Sequence, residues 1–190
     1  MSAKRFVIIM FLLLGVLSGC SQGQAEQKIV TIMDMDNKKL ATFAGTYIGD
    51  NSAVVSLMNS LPGGGLIKEI SLYEESLHAT YGTDDTSINY WYGDSSTLQS
   101  NVMYNAFYTT LLIPNAKAIQ FTMPETSFTA ERGTVLKWMN ENLSELPGEE
   151  SIWEQDNVEN YLQQNGNLIQ EAALSDDLKQ SFFKQMPLDQ

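Results

Sequence analysis

Hydrophobic residues along this chain change rhythm several times. Val54, Met58 and Leu61 recur at helical spacing, with Val55 and Leu57 beside them. Asp50 or Asn51, just ahead, offers an oxygen to cap the first free N–H groups. Leu61-Pro62-Gly63-Gly64-Gly65 ends that helix. From Leu66 the period drops to two. Leu66, Ile70 and Leu72 share one face, and Ile67, Glu69 and Ser71 the other. After a tight turn at Glu74-Glu75, Leu77, Ala79 and Tyr81 alternate with Ser76, His78 and Thr80. The pattern predicts an antiparallel hairpin with one wet face.

A long segment from Thr97 to Ile113 is apolar on two sides, Val102, Ala106 and Ile113 on one and Met103, Phe107 and Leu111 on the other. Such a helix is buried, and Pro114 stops it. In "AIQFTM", Ile119, Phe121 and Met123 alternate again as a third strand. Thr129 is the expected cap of a helix carrying Val135, Trp138, Met139, Leu143 and Leu146, ended by Pro147-Gly148. From Glu149 two further helices follow, broken near Gly166 or Ser175, and "IVTIMDMD" from Ile29 reads as a short first strand. No repeat of solenoid length is present. The order predicts an α+β fold: a small antiparallel sheet of three to four strands covered by helices, with a C-terminal helical extension.

The N-terminus changes the picture. Lys4 and Arg5 precede an apolar run from Phe6 to Val16, of signal-peptide length and too short to span a bilayer. It ends in Leu17-Ser18-Gly19-Cys20, which resembles the bacterial lipoprotein box. That resemblance implies a diacylglycerol on the Cys20 sulfur and cleavage just before it. Residues 1–19 are then a removed signal peptide, and residues 20–43 a lipidated cysteine, a tether and the possible short strand. Residues 44–146 form the α+β domain, and 147–190 an acidic helical extension. Cys20 is the only cysteine, so the remaining body has neither an internal disulfide nor a cysteine-based zinc site. "SQGQAEQK", Ser21 to Lys28, reads as a tether of about 15 Å as a coil.

Without residues 1–19 the chain has 171 residues, enough for a sizeable core, and a formal charge of −14. Such a surface repels nucleic acid and anionic headgroups, so attachment is expected from lipid chains, two of which anchor stably. Between Trp138 and Asp177 there are ten acidic residues and no Lys or Arg. This stretch reads as a solvated face, or as a surface for a basic partner.

Several segments resemble a family known as domain of unknown function 4825 (DUF4825). They are Tyr47-Ile48-Gly49-Asp50-Asn51-Ser52, the Leu61-Pro62 helix end, Tyr81-Gly82, Asn105-Ala106 and the Asn115-Ala116 turn, within roughly residues 44–146. The triple glycine after Pro62 and Pro114 before the turn depart from its pattern. The resemblance implies a lipoprotein or membrane protein of Gram-positive bacteria. It brings no catalytic residues. By analogy it favours extracytoplasmic sensing or partner binding. Within its first motif, Tyr47, Gly49, Asp50 and Asn51 read as a helix cap rather than as a chemical site.

No catalytic constellation emerges from the residues. His78 is the only histidine, so any Ser-His-Asp set must use it, yet it lies on the polar side of a strand. "DMDNKK", Asp34 to Lys39, begins like a calcium loop, but its lysines fall where an oxygen ligand and a glycine are needed. "GGGLIKE" lacks the spacing of a phosphate-binding loop. Glu74-Glu75, Asp84-Asp85, Glu149-Glu150 and Asp176-Asp177 are paired carboxylates, the last suited to a helix N-terminus. The best binding candidate is Asp84 and Asp85 with Tyr90, Trp91 and Tyr92, aromatics beside carboxylates that suit sugars, peptides or cationic groups. The alternatives are aromatics that close the core, or a strand over Ile88–Tyr92. In the tail, Trp153, Tyr161, Leu162, Phe182 and Phe183 either cover the sheet or dock a partner.

The expectation is therefore a non-enzymatic, lipid-anchored binding or sensing module on the extracytoplasmic face of the cell membrane. It uses no cofactor, metal or nucleic acid, and an envelope protein is a possible partner. The alternatives are a wall-directed hydrolase using carboxylates, and a structural lipoprotein that binds another envelope protein through its C-terminal helices.

Overall fold

A computed structural model describes residues 29–148 and 150–189. The signal segment, Cys20 and the tether lie outside the described residues, as does Glu149. Five strands form one mixed sheet in the order β1 (Ile67–Tyr73), β2 (Ser76–Tyr81), β3 (Ala118–Thr122), β4 (Ser127–Glu131), β5 (Leu188–Asp189). Among the described residues seven α-helices accompany it: α1 (Asn37–Ala41), α2 (Asn51–Ser60), α3 (Asp85–Tyr92), α4 (Thr97–Leu112), α5 (Arg132–Asn142), α6 (Gln155–Leu174) and α7 (Asp176–Gln185). The fold is α+β, with five strands rather than three to four.

The hairpin forms as its alternation predicts. Leu77, Ala79 and Tyr81 are buried, while Ser76, His78 and Thr80 are half-exposed on the other face. His78 Nε2 lies 2.9 Å from Thr122 Oγ1, in the polar layer of that face. Both turn residues have positive φ, 49° at Glu74 and 60° at Glu75. That left-handed geometry suits the twist of a two-residue hairpin but favours Asn or Gly. Glu74→Asn is therefore expected to stabilise the protein by about 0.5–1 kcal/mol, read as a higher urea midpoint with an unchanged slope.

The sheet is not wholly antiparallel. β2 and β3 pair in parallel, Leu77 opposite Ile119 and Ala79 opposite Phe121. The connection between them carries α3 and α4, which is long enough to return the chain to the same end of the sheet. A fourth strand, β4, occupies residues read as a helix start. Thr129 lies within β4, opposite Gln120, and α5 begins only at Arg132. β4 passes into α5 without a linker, which hides both boundaries. β5 is two residues long, too short for any pattern, and pairs Leu188 with Phe128.

The expected strand from Ile29 is instead a 3₁₀ turn, Ile32–Asp34, followed by α1. Two aspartates decide this. Asp34 accepts from the Thr31 N–H at 3.1 Å and hydroxyl at 2.8 Å. Asp36 caps α1 through the N–H groups of Lys38 (2.9 Å) and Lys39 (3.3 Å). Asp50 is the cap of α2, accepting from the Ala53 N–H at 3.0 Å.

α4 is the centre of the molecule: every residue from Ser100 to Leu112 is buried. It packs on α3, α5, α6, α7 and β3. The tail closes this core. Phe182 of α7 meets Phe107 (5.4 Å between ring centres), Trp138 (5.4 Å) and Phe128 (5.8 Å). Tyr161 and Leu162 of α6 are buried, and Phe183 packs against Phe128. Trp153 is 47% exposed. α6 runs straight through Gly166 and breaks at Ser175. At Gly166 a Cβ would lie 2.3 Å from the Asn37 side chain, so the glycine lets α6 cross α1 closely.

Candidate functional site

The five residues read as a binding surface fall on one segment but face different surroundings. Asp84 is the cap of α3, accepting from the Ser87 N–H at 3.0 Å and the Ser87 hydroxyl at 3.2 Å. These bonds, the backbone donor first, with Lys68 at 3.5 Å, hold its carboxyl below the usual carboxylate range. Asp85 is exposed in the first turn. Ile88 to Tyr92 are helical, not a strand. Trp91 is fully buried, edge-on to Tyr81 at 4.7 Å and to Tyr90 at 5.1 Å. A Cβ at Gly63, whose φ is +73°, would come within 2.8 Å of that indole. Trp91 thus serves the core.

Tyr90 and Tyr92 act as latches. The Tyr90 hydroxyl donates to the Val30 carbonyl (2.9 Å) and accepts from Asn101 Nδ2 (2.9 Å), and burial raises its pKa. The Tyr92 hydroxyl accepts from the Glu125 N–H at 3.0 Å, fastening the β3–β4 turn. Tyr90 also lines a small cleft of about 180 Å³ with Ile32, Met33, Ser100, Asn101 and Leu174. Behind Ser100 lies Lys179, only 3% exposed, a residue that nothing in the sequence singles out. Its Nζ donates to Ser100 Oγ at 3.2 Å and lies 3.0 Å from Asp176 Oδ1. An ammonium that donates to both groups ties α7 to α4. Drawing a proton from the serine would need the opposite role.

A larger groove, about 620 Å³, lies where β3 begins, beside the hairpin turn and the start of α5. Its charged lining is Glu75, Lys117, Glu131 and Arg132. Three backbone segments meet there. The Lys117 N–H donates to the Glu75 carbonyl (2.6 Å), and the Arg132 N–H to the Lys117 carbonyl (2.9 Å). The Lys117 and Glu75 side chains form an ion pair, and that contact raises the lysine pKa. Arg132 Nε donates to the Thr110 carbonyl at 3.0 Å. Asn115, also in the lining, accepts the Ile48 N–H at 2.8 Å, while its buried Nδ2 has no partner among the described residues. A neighbouring hollow of about 450 Å³ shares Arg132 and Gly133 and adds Leu136, Leu146 and Ile152. The surface offers both signs of charge and an apolar end, which suits a polar chain with apolar side groups. Its lining comes from three separate stretches, Glu75, residues 114–118 and residues 131–133, and of these the sequence marks only the Asn115-Ala116 turn.

Of the paired carboxylates, Glu74-Glu75 form the hairpin turn, Asp84 caps a helix, and Asp176 and Asp177 open α7. Among the described residues no cluster of His, Cys, Asp or Glu is arranged for a metal ion, and no helix is long and apolar enough to cross a membrane.

Residues 40–132 match the model of a family described as a domain of unknown function, DUF4825. Over that segment the chain is similar to the DUF4825 family. No curated protein and no solved structure matches the chain. The DUF4825 segment runs from α1 to the first residue of α5, so α5, α6, α7 and β5 lie almost wholly beyond it. The segments that carry the DUF4825 resemblance meet in two knots. In one, Ile48 is bonded to Asn115. In the other, Asn105 Nδ2 donates to the Pro62 carbonyl (3.0 Å) and lies 3.5 Å from the Tyr81 hydroxyl. These residues hold chain segments together, and the first knot sits at the rim of the groove. All the groove's charged residues fall within the DUF4825 match.

Proposed function

We propose that the protein is a non-enzymatic binding or sensing module, anchored by lipid on the extracytoplasmic face of a Gram-positive-type cell membrane. The observation that carries this reading is the "LSGC" box ending a short apolar run, with Cys20 as the only cysteine. The groove bounded by Glu75, Asn115, Lys117 and Arg132 supports it as the binding surface, with a segment of an envelope protein as its ligand. The acidic body disfavours adsorption to anionic headgroups, so the acyl chains do the anchoring.

Replacing Cys20 by Ala is expected to move the protein from the membrane pellet to the soluble fraction at unchanged thermal stability. Retention of the C20A variant in the pellet, with wild-type resistance to salt and carbonate washing, contradicts the reading.

A further inference from the structure

We infer that the surface around Met33 and Leu174 rests on the bilayer and holds the Glu75–Arg132 groove away from it. The inference rests on lipid anchoring at Cys20 and adds a second membrane contact with a fixed orientation.

Eight residues, Ser21 to Lys28, separate Cys20 from the first described residue, Ile29. As a coil they reach about 15 Å, and fully stretched about 28 Å. A folded body of this length has a radius of gyration of about 15 Å. The tether is thus shorter than the body is wide, and the side where Ile29 enters must face the membrane.

That side carries exposed apolar side chains. Met33 is 74% exposed and Leu174 46%, and both border the same cleft. The Met33 loop is fixed in place. Gln170 Nε2 donates to the Ile32 carbonyl at 3.2 Å, and Asp34 is bonded to Thr31. From Ser21 to Lys39 three lysines balance Glu26, Asp34 and Asp36, while the rest of the chain after Gly19 carries −14. With Asp176 and Asp177 exposed close to Leu174, the contact rests on the tether and the apolar side chains, not on attraction to headgroups.

The same bonds set the far side. The Gly63 N–H donates to the Val30 carbonyl at 3.0 Å, placing the start of β1 beside the entry point. From Ile67 the strand runs about 20 Å to Tyr73, and Glu75 of the groove follows at the turn. The groove therefore lies at the end of the hairpin remote from the entry point.

Acylation of Cys20 leaves an introduced cysteine as the only free thiol. Full-length M33C, L174C and Y73C proteins, isolated from membranes, would be labelled with an environment-sensitive dye. They would be reconstituted in phosphatidylcholine–phosphatidylglycerol vesicles with and without brominated acyl chains. Dye at positions 33 and 174 is expected to shift to the blue and lose about half its emission to the brominated lipid, the response of side chains at the headgroup–acyl boundary. Dye at position 73 is expected to report water. Equal, water-like spectra at all three positions in protein that floats with the vesicles overturn the inference and leave the anchor standing. A blue shift at 33 without bromine quenching points to a protein occupant and overturns it too. Failure to float overturns the anchor, and this inference with it.

Discussion

A chain ending at Leu174 is expected to lose cooperative folding. The deletion removes α7 and β5, and with them Phe182, which is fully buried against Phe107, Phe128 and Trp138. Truncating one such phenylalanine costs about 3–5 kcal/mol. Removing Met186, the buried Lys179 contact and the strand beside β4 adds to that loss. Typical domains have only about 5–15 kcal/mol in total. Thermal melting followed by near-ultraviolet circular dichroism should show no sharp transition for the truncated chain. A melt within a few degrees of the full-length protein would mean that the tail is an independent appendage, as the acidic composition of residues 147–190 suggests when read alone.

Alkaline pH is expected to unfold the protein steeply. Tyr81, Tyr90, Tyr104 and Tyr108 are each raised above the ordinary phenol value, chiefly by burial, Tyr108 to about 12 and the others further. The sign follows from proton linkage. A group whose folded pKa is raised lends stability that is full below its unfolded pKa and is lost as pH climbs toward the folded value. Above pH ~10 the unfolded chain releases these protons and the folded chain keeps them. Each tyrosine then costs about 1.4 kcal/mol per pH unit, and three or four together about 4–6. The share of tyrosinate absorbance that belongs to these four rings should appear together with loss of the near-ultraviolet signal, between pH ~11 and 12. Ionisation of these four rings near pH ~10 in a folded protein would show that they are not buried.

Much of the fold is legible in periodicity. The hairpin, the doubly apolar α4 and the strand at Ile119 are set by side-chain alternation or helical spacing that burial enforces. What escaped has physical causes. The parallel pairing of β2 with β3 depends on where a long connection returns, which local pattern does not encode. β4 is short and abuts a helix, so Thr129, a good capping residue by type, points to the wrong boundary. Asp34 and Asp36 turned an apparent strand into two helical starts through side-chain bonds that outweigh the β preference of Ile29 and Val30. At the site, Tyr90-Trp91-Tyr92 stood out as aromatics, yet a helix sends three adjacent side chains in different directions. One fills the core and two fasten loops. Of the groove residues only Asn115 carries a signal, in the Asn115-Ala116 turn; Glu75, Lys117 and Arg132 come together through strand pairing and two backbone bonds.

The DUF4825 motifs read the same way. Asp50 caps a helix, Asn105 and Asn115 tie distant segments, and none of them is poised for bond making. Of the three only Asn115 borders the groove, on the side turned away from the membrane.

Mass analysis of the N-terminal peptide of the protein extracted from native membranes tests the central claim most directly. The account predicts a peptide that begins at Cys20 and carries the added mass of a diacylglyceryl thioether. A peptide beginning at Met1, or at Cys20 with a free thiol, would contradict it.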